Sequence, residues 1–261
     1  MIICADDYGL RDDINQAILE LVSLGKLSAV SCMVLFERCD NKALNALLAH
    51  RANVDIGLHL CLSDEHLPLS SPLTHSLPDF TSLFQQALFK RIEPHNIARL
   101  ASVQYDLFTQ KCGCRPDYID GHLHAHQLPG VRQGLIDFVQ SLPREHRPYI
   151  RNTWMPVAQI RRLKLPWVKA ALIGVSGGRI RSLLCKADIM TNDGFVGIYD
   201  FKQWLKYPGY LPKFLDCLSA PNGILVVHPG LNDKWRRQEF ESLRDFSAVG
   251  GRLNRFQSRL L

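Results

Sequence analysis

Residues 116–126 read P-D-Y-I-D-G-H-L-H-A-H: after the turn Gly113–Pro116 comes a short strand, Tyr118–His122, and then a histidine at every second position. Were the strand to continue, Asp120, His122, His124 and His126 would share one face, because side chains on a strand alternate with period two. Two imidazoles on one face, joined by a carboxylate from a neighbouring strand, make a usual ligand set for a catalytic divalent metal. Three other apolar runs end in the same kind of chemistry. Met1–Ala5 stops at Asp6-Asp7, Val54–Leu60 carries His59 near its end, and Gly223–Val227 stops at His228-Pro229-Gly230. Five of the ten histidines lie at these strand ends, which a random scatter would seldom produce.

Helical periods separate these runs. Asp13 is an N-cap candidate ahead of Ile14, Ala17, Ile18, Leu21 and Val22, which are apolar at helical spacing. Ser28–Leu35 reads as a strand, Asp40–Ala49, Asn96–Phe108 and Val131–Leu142 as helices, and Arg147–Arg151 as a strand. Val157–Ile173 is expected to be largely helical despite Pro166, and Ala187–Met190 to be a short strand. Pro208 and Pro212 divide Trp204–Leu218 into two short helices, and Asp233–Phe246 forms a late helix. Gly174–Gly178, G-V-S-G-G, reads as a helix C-cap and loop. Strands alternating with helices mean parallel strands joined by right-handed crossovers. Six or seven such units in 261 residues suit an α/β fold, a distorted or incomplete TIM-like (β/α) barrel spanning 1–261 as a single domain. A weakly patterned insertion at about 63–94 is long enough to be functional. In such barrels the active site is built at the C-terminal rim from several strands.

Composition narrows the function. Apolar residues make up 46% and charged residues 21%, as in an average globular protein, so disorder and coiled coil are excluded. No stretch is long and apolar enough to span a membrane. The N-terminus, MIICADDYGL, lacks a basic segment and turns acidic at position 6, so the expected compartment is the cytoplasm. The net charge of +6 is spread over scattered groups such as Arg161 with Arg162 and Arg236 with Arg237. Without interleaved aromatics these read as solvated faces and not as a nucleic-acid surface. Eight cysteines without a C-x-x-C pair fit a reduced protein free of disulfides. No glycine-rich phosphate cradle is present. Apolar residues near the C-terminus, Val249–Leu261, offer a surface for a homodimer.

The residues themselves leave roles open. Adjacent Asp6 and Asp7 point opposite ways on an extended strand, but a turn at the strand end presents both to one pocket, one as metal ligand and one as base. Tyr8-Gly9 would be that tight turn, Gly9 taking positive φ. His228 has the ordinary pKa of a general acid near neutrality. Arg151, at the end of the fifth strand, is placed to orient these groups or the substrate. His50, His66, His75, His95 and His146 read as surface residues.

A-D-D-Y-G-L at 5–10, S-A-V-S-C-M-V at 28–34, I-G-L-H-L at 56–60, P-D-Y-I-D-G-H-L-H-A-H at 116–126 and H-P-G at 228–230 resemble, in order and spacing, the YdjC/ChbG-like carbohydrate deacetylases. The resemblance covers nearly the whole chain. It implies a distorted TIM-like barrel related to polysaccharide deacetylases and metal-dependent removal of the acetyl group from a small acetylated amino sugar. Carried over by position, Asp7, His59 and His122 match the family's ligands to one divalent metal ion, with Mg or Zn expected. Asp6 matches the catalytic base and His228 the histidine of the C-terminal motif. Asp120, His124, His126 and Arg151 are left as substrate-binding or supporting residues. Two departures stand out: G-I-L-V-V ahead of H-P-G lacks the family's frequent acidic residue, and Leu123 interrupts its consecutive histidines. The rival readings are another metal hydrolase, such as a phosphoesterase, and a non-catalytic sugar-binding protein on the same scaffold.

Overall fold

The apolar runs pair side by side into one parallel sheet. Its strands are β1 (Ile2–Tyr8), β2 (Ala29–Cys32), β3 (Asp55–Leu60), β4 (Tyr118–Gly121), β5 (Tyr149–Ile150), β6 (Gly194–Val196) and β7 (Gly223–Val227), in the order β5-β4-β3-β2-β1-β7-β6. This computed structural model describes residues 1–63, 77–163, 167–218, 220–247 and 253–256, with the backbone alone for 167–172. Every residue of β1, β3 and β7 is buried, as expected where helices cover a parallel sheet. The covering helices are α1 (Asp12–Ser23), α2 (Asn41–Leu48), α3 (Phe80–Leu88), α4 (Pro94–Cys112), α5 (Val131–Ser141), α6 (Val157–Leu163), α7 (Trp167–Lys186), α8 (Tyr207–Asp216) and α9 (Lys234–Asp245). Edge strand β5 meets the segment ahead of β6 at one isolated parallel bridge, Ile150 with Thr191. The Ile150 N–H donates to the Met190 carbonyl at 2.9 Å there. The sheet is therefore an incomplete, distorted TIM-like barrel with its strand C-termini on one rim.

Several elements differ from expectation. The segment 187–190 is not a strand; β6 lies later, at Gly194–Val196, because α7 runs on to Lys186. The glycines at 174, 177 and 178 therefore sit inside that helix and not in a loop. Gly177 is there for close approach: a Cβ would lie 2.4 Å from the Thr153 carbonyl carbon and the Trp154 nitrogen. Asp13 is not an N-cap. It stands in the first turn of α1, where its carboxylate accepts from the Leu231 and Asn232 N–H groups and pins the loop after His228. The insertion contains a helix, α3, whose N-cap Asp79 accepts from the Ser82 N–H at 2.9 Å. Residues 64–76 of it, with His66 and His75, lie outside the described residues, as does most of 249–261. All eight cysteines are free. No helix among the described residues is long and apolar enough to cross a membrane.

One packing detail sets the floor of the site. Gly57 of β3 has the Tyr118 ring against it, so that a Cβ at Gly57 would lie 2.4 Å from ring carbons. The ring passes over β3 to reach β2, where its hydroxyl meets Ser31 Oγ at 2.8 Å. Ser31 in turn donates to Asp120 Oδ2 at 2.7 Å. Three strands are tied by one side chain, and only glycine at 57 leaves it room. Gly57→Ala is expected to cost about 1–3 kcal/mol through overpacking, lowering the unfolding temperature by about 2–12 °C. A thermal melt at fixed pH checks this, and an unshifted midpoint would mean that the ring gives way freely.

Candidate active site and metal centre

Strand register brings the chemistry together before any side chain is considered. His59 and Asp120 are direct neighbours across β3 and β4, and Ala5 faces Val227 across β1 and β7, which sets Asp6 beside His228. Asp6 and Asp7 both face the cleft because β1 does not stay extended. Asp7 takes φ +72°, the pairing with β2 slips between Ala5 and Tyr8, and Gly9 follows at φ +97°. Aspartate is among the few side chains that enter this left-handed region readily. The expected turn at Gly9 is present, preceded by a second one at Asp7.

The alternation expected from 120 to 126 is overturned. β4 ends at Gly121, and a 3-10 segment, His122–Gln127, takes Leu123 and His124 to φ +53° and +57°. The four polar residues consequently go four ways. Asp120 lies under the site, fully buried, and accepts from His59 Nδ1–H at 2.6 Å. His122 places Nδ1 3.1 Å from Asp7 Oδ1. His124 lines the cleft with its ring edge-on to Phe195. His126 folds back beneath Gly121, and its Nε2–H donates to the Arg151 carbonyl at 2.8 Å. The left-handed turn is what separates them.

Asp7, His59 and His122 present one donor atom each within 4.8 Å of one another. His59 Nε2 is 3.5 Å from Asp7 Oδ1, while its Nδ1–H is committed to Asp120, the usual way a protein fixes a ligating histidine's tautomer. The electrostatics fit a cation as well. Asp6, Asp7 and Asp120 bring three carboxylates against two guanidinium groups, those of Arg151 and Arg236. Burial pushes His59 down, yet Asp120 and Asp6 raise it to about 10, so this spot attracts positive charge. One carboxylate and two imidazoles of fixed orientation suit a single divalent ion.

Arg151 is wholly buried and explains the state of Asp6. Its guanidinium binds Asp6 through both oxygens, at 2.6 and 2.7 Å, and reaches Asp120 Oδ2 at 2.8 Å. Burial pushes the Asp6 carboxyl up, but Arg151 and then His59 outweigh it and hold it ionised well below the ordinary range. Asp7 is likewise held down against its burial by Arg236 and by bonds from His122 and His59. His228 Nε2 lies 4.0 Å from Asp6 Oδ2. Burial lowers His228 to about 4 although Asp6 and Asp7 oppose it, so the imidazole is neutral at rest.

Reading the sequence missed the residues behind His228. Arg236, taken for part of a solvated face, is buried, and its Nη2 donates to Asp7 Oδ2 at 2.6 Å. Glu239 accepts from the His228 backbone N–H at 2.6 Å and from the Tyr199 hydroxyl at 2.7 Å. The cleft itself, about 480 Å³, is walled by Phe80 and Phe84 of α3 and by Leu123, Ile198, Phe201 and Trp235. Phe201 stacks on Trp235 at 4.2 Å between ring centroids and meets the His228 ring edge-on. A mostly apolar wall with a few convergent polar groups is the usual form of a small-molecule site.

Known proteins resemble this chain in sequence and in fold. A carbohydrate deacetylase of Xenopus laevis is 26% identical over 262 residues, covering 88% of this chain and 80% of that protein. A chitooligosaccharide deacetylase of Proteus mirabilis is 27% identical over 147 residues, 54% of this chain and 55% of its own. The chain thus spans most of the first relative and about half of the second. A solved structure from Enterococcus faecalis V583, named for cellobiose-phosphate cleavage, superposes with a TM-score of 0.67 at 20% identity. It covers 97% of this chain and 96% of its own, and at that identity the likeness is one of fold. The model of the YdjC-like protein family matches residues 1–249, and the chain belongs to that family.

Proposed function

We propose that this chain is a metal-dependent deacetylase that hydrolyses the acetamide of a 2-acetamido monosaccharide or short oligosaccharide and releases acetate. The observation that carries the reading is the convergence of the Arg151-bound Asp6 and of His228 on the point where Asp7, His59 and His122 meet. Asp7, His59 and His122 would hold one divalent ion, Mg or Zn. The chemistry such an ion supplies when bound is a lower pKa for water and polarisation of the acetamide carbonyl.

The chain's own groups then move the protons. Asp6 Oδ2 accepts a proton from the attacking water, and the fixed salt bridge to Arg151 keeps the carboxylate aimed while making it a poor resting place for that proton. His228 Nε2, 4.0 Å away and neutral at rest, is the group that takes up positive charge during the reaction. As imidazolium it donates to the leaving nitrogen when the carbon–nitrogen bond breaks, giving a free amine and acetate. Without that proton the leaving group would be an amine anion. The aromatic wall of Phe201 and Trp235 offers flat apolar surface for the C–H face of a sugar ring, beside the acid. Phe80 and Phe84 of α3 also border the cleft, and this added wall favours short substrates over polymers.

Two features weigh against a two-metal phosphoesterase. The second group of donors, Cys4, Asp6 and Asp120, already has the Arg151 guanidinium on all three, at 3.4, 2.6 and 2.8 Å. The cationic side chain lining the cleft, Arg236, is bound to Asp7 and not free to meet a phosphate.

Acetate release from N-acetylglucosamine, its phosphate and short chito-oligosaccharides, with and without a chelator, tests the reading. Chelator-sensitive release from a neutral short sugar is expected, with about one metal per chain. Metal binding without release from any of them would sink it. His122→Ala is expected to lose metal and turnover together, measured by metal analysis and acetate assay. His228→Ala should retain the metal and lose roughly 10²–10⁴-fold in kcat, the range for a general acid. Unchanged kcat would remove His228 from that role. Asp6→Asn should keep sugar binding by calorimetry and abolish turnover, whereas a binding protein would show no turnover in either form.

A further inference from the structure

Helix α9 carries two buried charged residues three positions apart, Arg236 and Glu239, and both face the site. Arg236 Nη2 holds Asp7 Oδ2 at 2.6 Å, while Asp7 Oδ1 is left toward His122 and His59 at 3.1 and 3.5 Å. The same guanidinium donates through Nη1 to the His228 carbonyl at 3.3 Å, and Asp233 lies 3.5 Å from its Nε. On the other side of the same residue, Glu239 Oε2 accepts from the His228 N–H at 2.6 Å, its second oxygen being fixed by Tyr199. Gly230 lets the arginine through: a Cβ there would lie 3.0 Å from Arg236 Cδ. His228 Nδ1 has no hydrogen-bond partner among the described residues, and the ring itself meets only the aromatic faces of Phe201 and Trp235 there. Its polar anchoring comes through its backbone.

We propose that Arg236 and Glu239 form a clamp that positions two working groups at once, restricting Asp7 to a single oxygen for the metal and holding His228 by both ends of its backbone. The proposal rests on the reading of Asp7 as ligand and His228 as acid. Neither clamp residue touches the reacting atoms; each acts through another group. Arginine is required because its planar fork reaches two acceptors in different directions, which a lysine ammonium on a flexible stem does not do. The clamp also has a cost for metal binding, since it puts a positive charge against the ligand carboxylate.

The test compares Arg236→Gln, Arg236→Lys and Glu239→Gln with the wild type in three measurements. These are Mn²⁺ affinity by calorimetry, kcat and KM for acetate release from diacetylchitobiose, and the thermal midpoint. Arg236→Gln frees Asp7 Oδ2 and removes a cation, so Mn²⁺ is expected to bind at least about threefold more tightly, while kcat falls about 10–100-fold through misplacement of Asp7 and His228. Arg236→Lys retains the charge but not the fork, so Mn²⁺ affinity stays near that of the wild type and kcat falls comparably. Glu239→Gln leaves Mn²⁺ affinity unchanged and lowers kcat with little change in KM. Unaltered kcat in all three variants overturns the clamp. So does a loss of Mn²⁺ affinity in parallel with the thermal midpoint, which a merely structural role would give. Should the wild type release no acetate from any substrate, the deacetylase reading fails. Tighter Mn²⁺ binding with Gln but not with Lys at 236 then still decides whether Arg236 governs Asp7.

Discussion

A guanidinium with no solvent exposure is the constraint on which this site rests. Arg151 directly follows the fifth strand and lies across the sheet to Asp6 on β1 and Asp120 on β4. Taking that charge out of water is expensive, and removing one partner of such a buried pair commonly costs about 3–5 kcal/mol because the other is left uncompensated. The charges are compensated within the network, although Arg151 Nε is left without a hydrogen-bond partner among the described residues. Asp6 receives both arms of the fork, Asp120 is shared with Ser31 and His59, and the Arg151 carbonyl is held by His126. A change at any of these positions is felt at His59 and Asp6 together. The orientation of the proposed base and of one proposed ligand is therefore a property of the sheet's interior and not of a loop.

Backbone conformations complete what the sheet begins. Two aspartates in succession reach one cleft only because Asp7 leaves the extended region, and four polar residues after β4 separate only because Leu123 and His124 do. Such conformations cost free energy and persist where neighbours fix them. Here the fixing contacts are visible: Arg236 and His122 hold the Asp7 carboxylate, while Phe195 packs edge-on against the His124 ring. Positive φ at non-glycine residues thus falls on both sides of the cleft.

The strands were legible from composition because a parallel sheet buried on both faces reads as short continuous apolar runs. Chemistry collecting at their C-terminal ends was legible because polar residues interrupt those runs abruptly, at Asp6-Asp7, His59, His122 and His228. What the period-two pattern misled on was the stretch beyond Gly121, since alternation in sequence carries no information once the chain turns. Arg236 and Glu239 escaped for a different reason. Charged residues in a late helix read as solvent-facing, although 236, 239, 240 and 243 follow the i, i+3, i+4, i+7 spacing of a buried face. Charge placed on a core stripe is itself a signal of a site, and here it identifies the residues behind His228. The short edge strands also escaped: β6 is three residues long, and the glycines of α7 look like a break until their packing against Thr153 and Trp154 is seen.

The charge balance links the sheet to the helix behind it. Two carboxylates line a cleft whose walls are largely apolar and a third, Asp120, lies beneath it, while two guanidinium groups reach them, Arg151 from the sheet and Arg236 from α9. Each arginine blocks one face of a carboxylate, which decides what remains available. Asp6 is fully engaged by Arg151, so it is unsuited to share a metal and suited to take a proton briefly. Asp7 is engaged on one oxygen only, leaving the other toward two imidazoles. Adjacent residues of the same chemical type thereby stand in different environments, set by which arginine they meet and how. The proposed division of roles between Asp6 and Asp7 therefore follows from two buried cations anchored on different elements, Arg151 after β5 and Arg236 on α9.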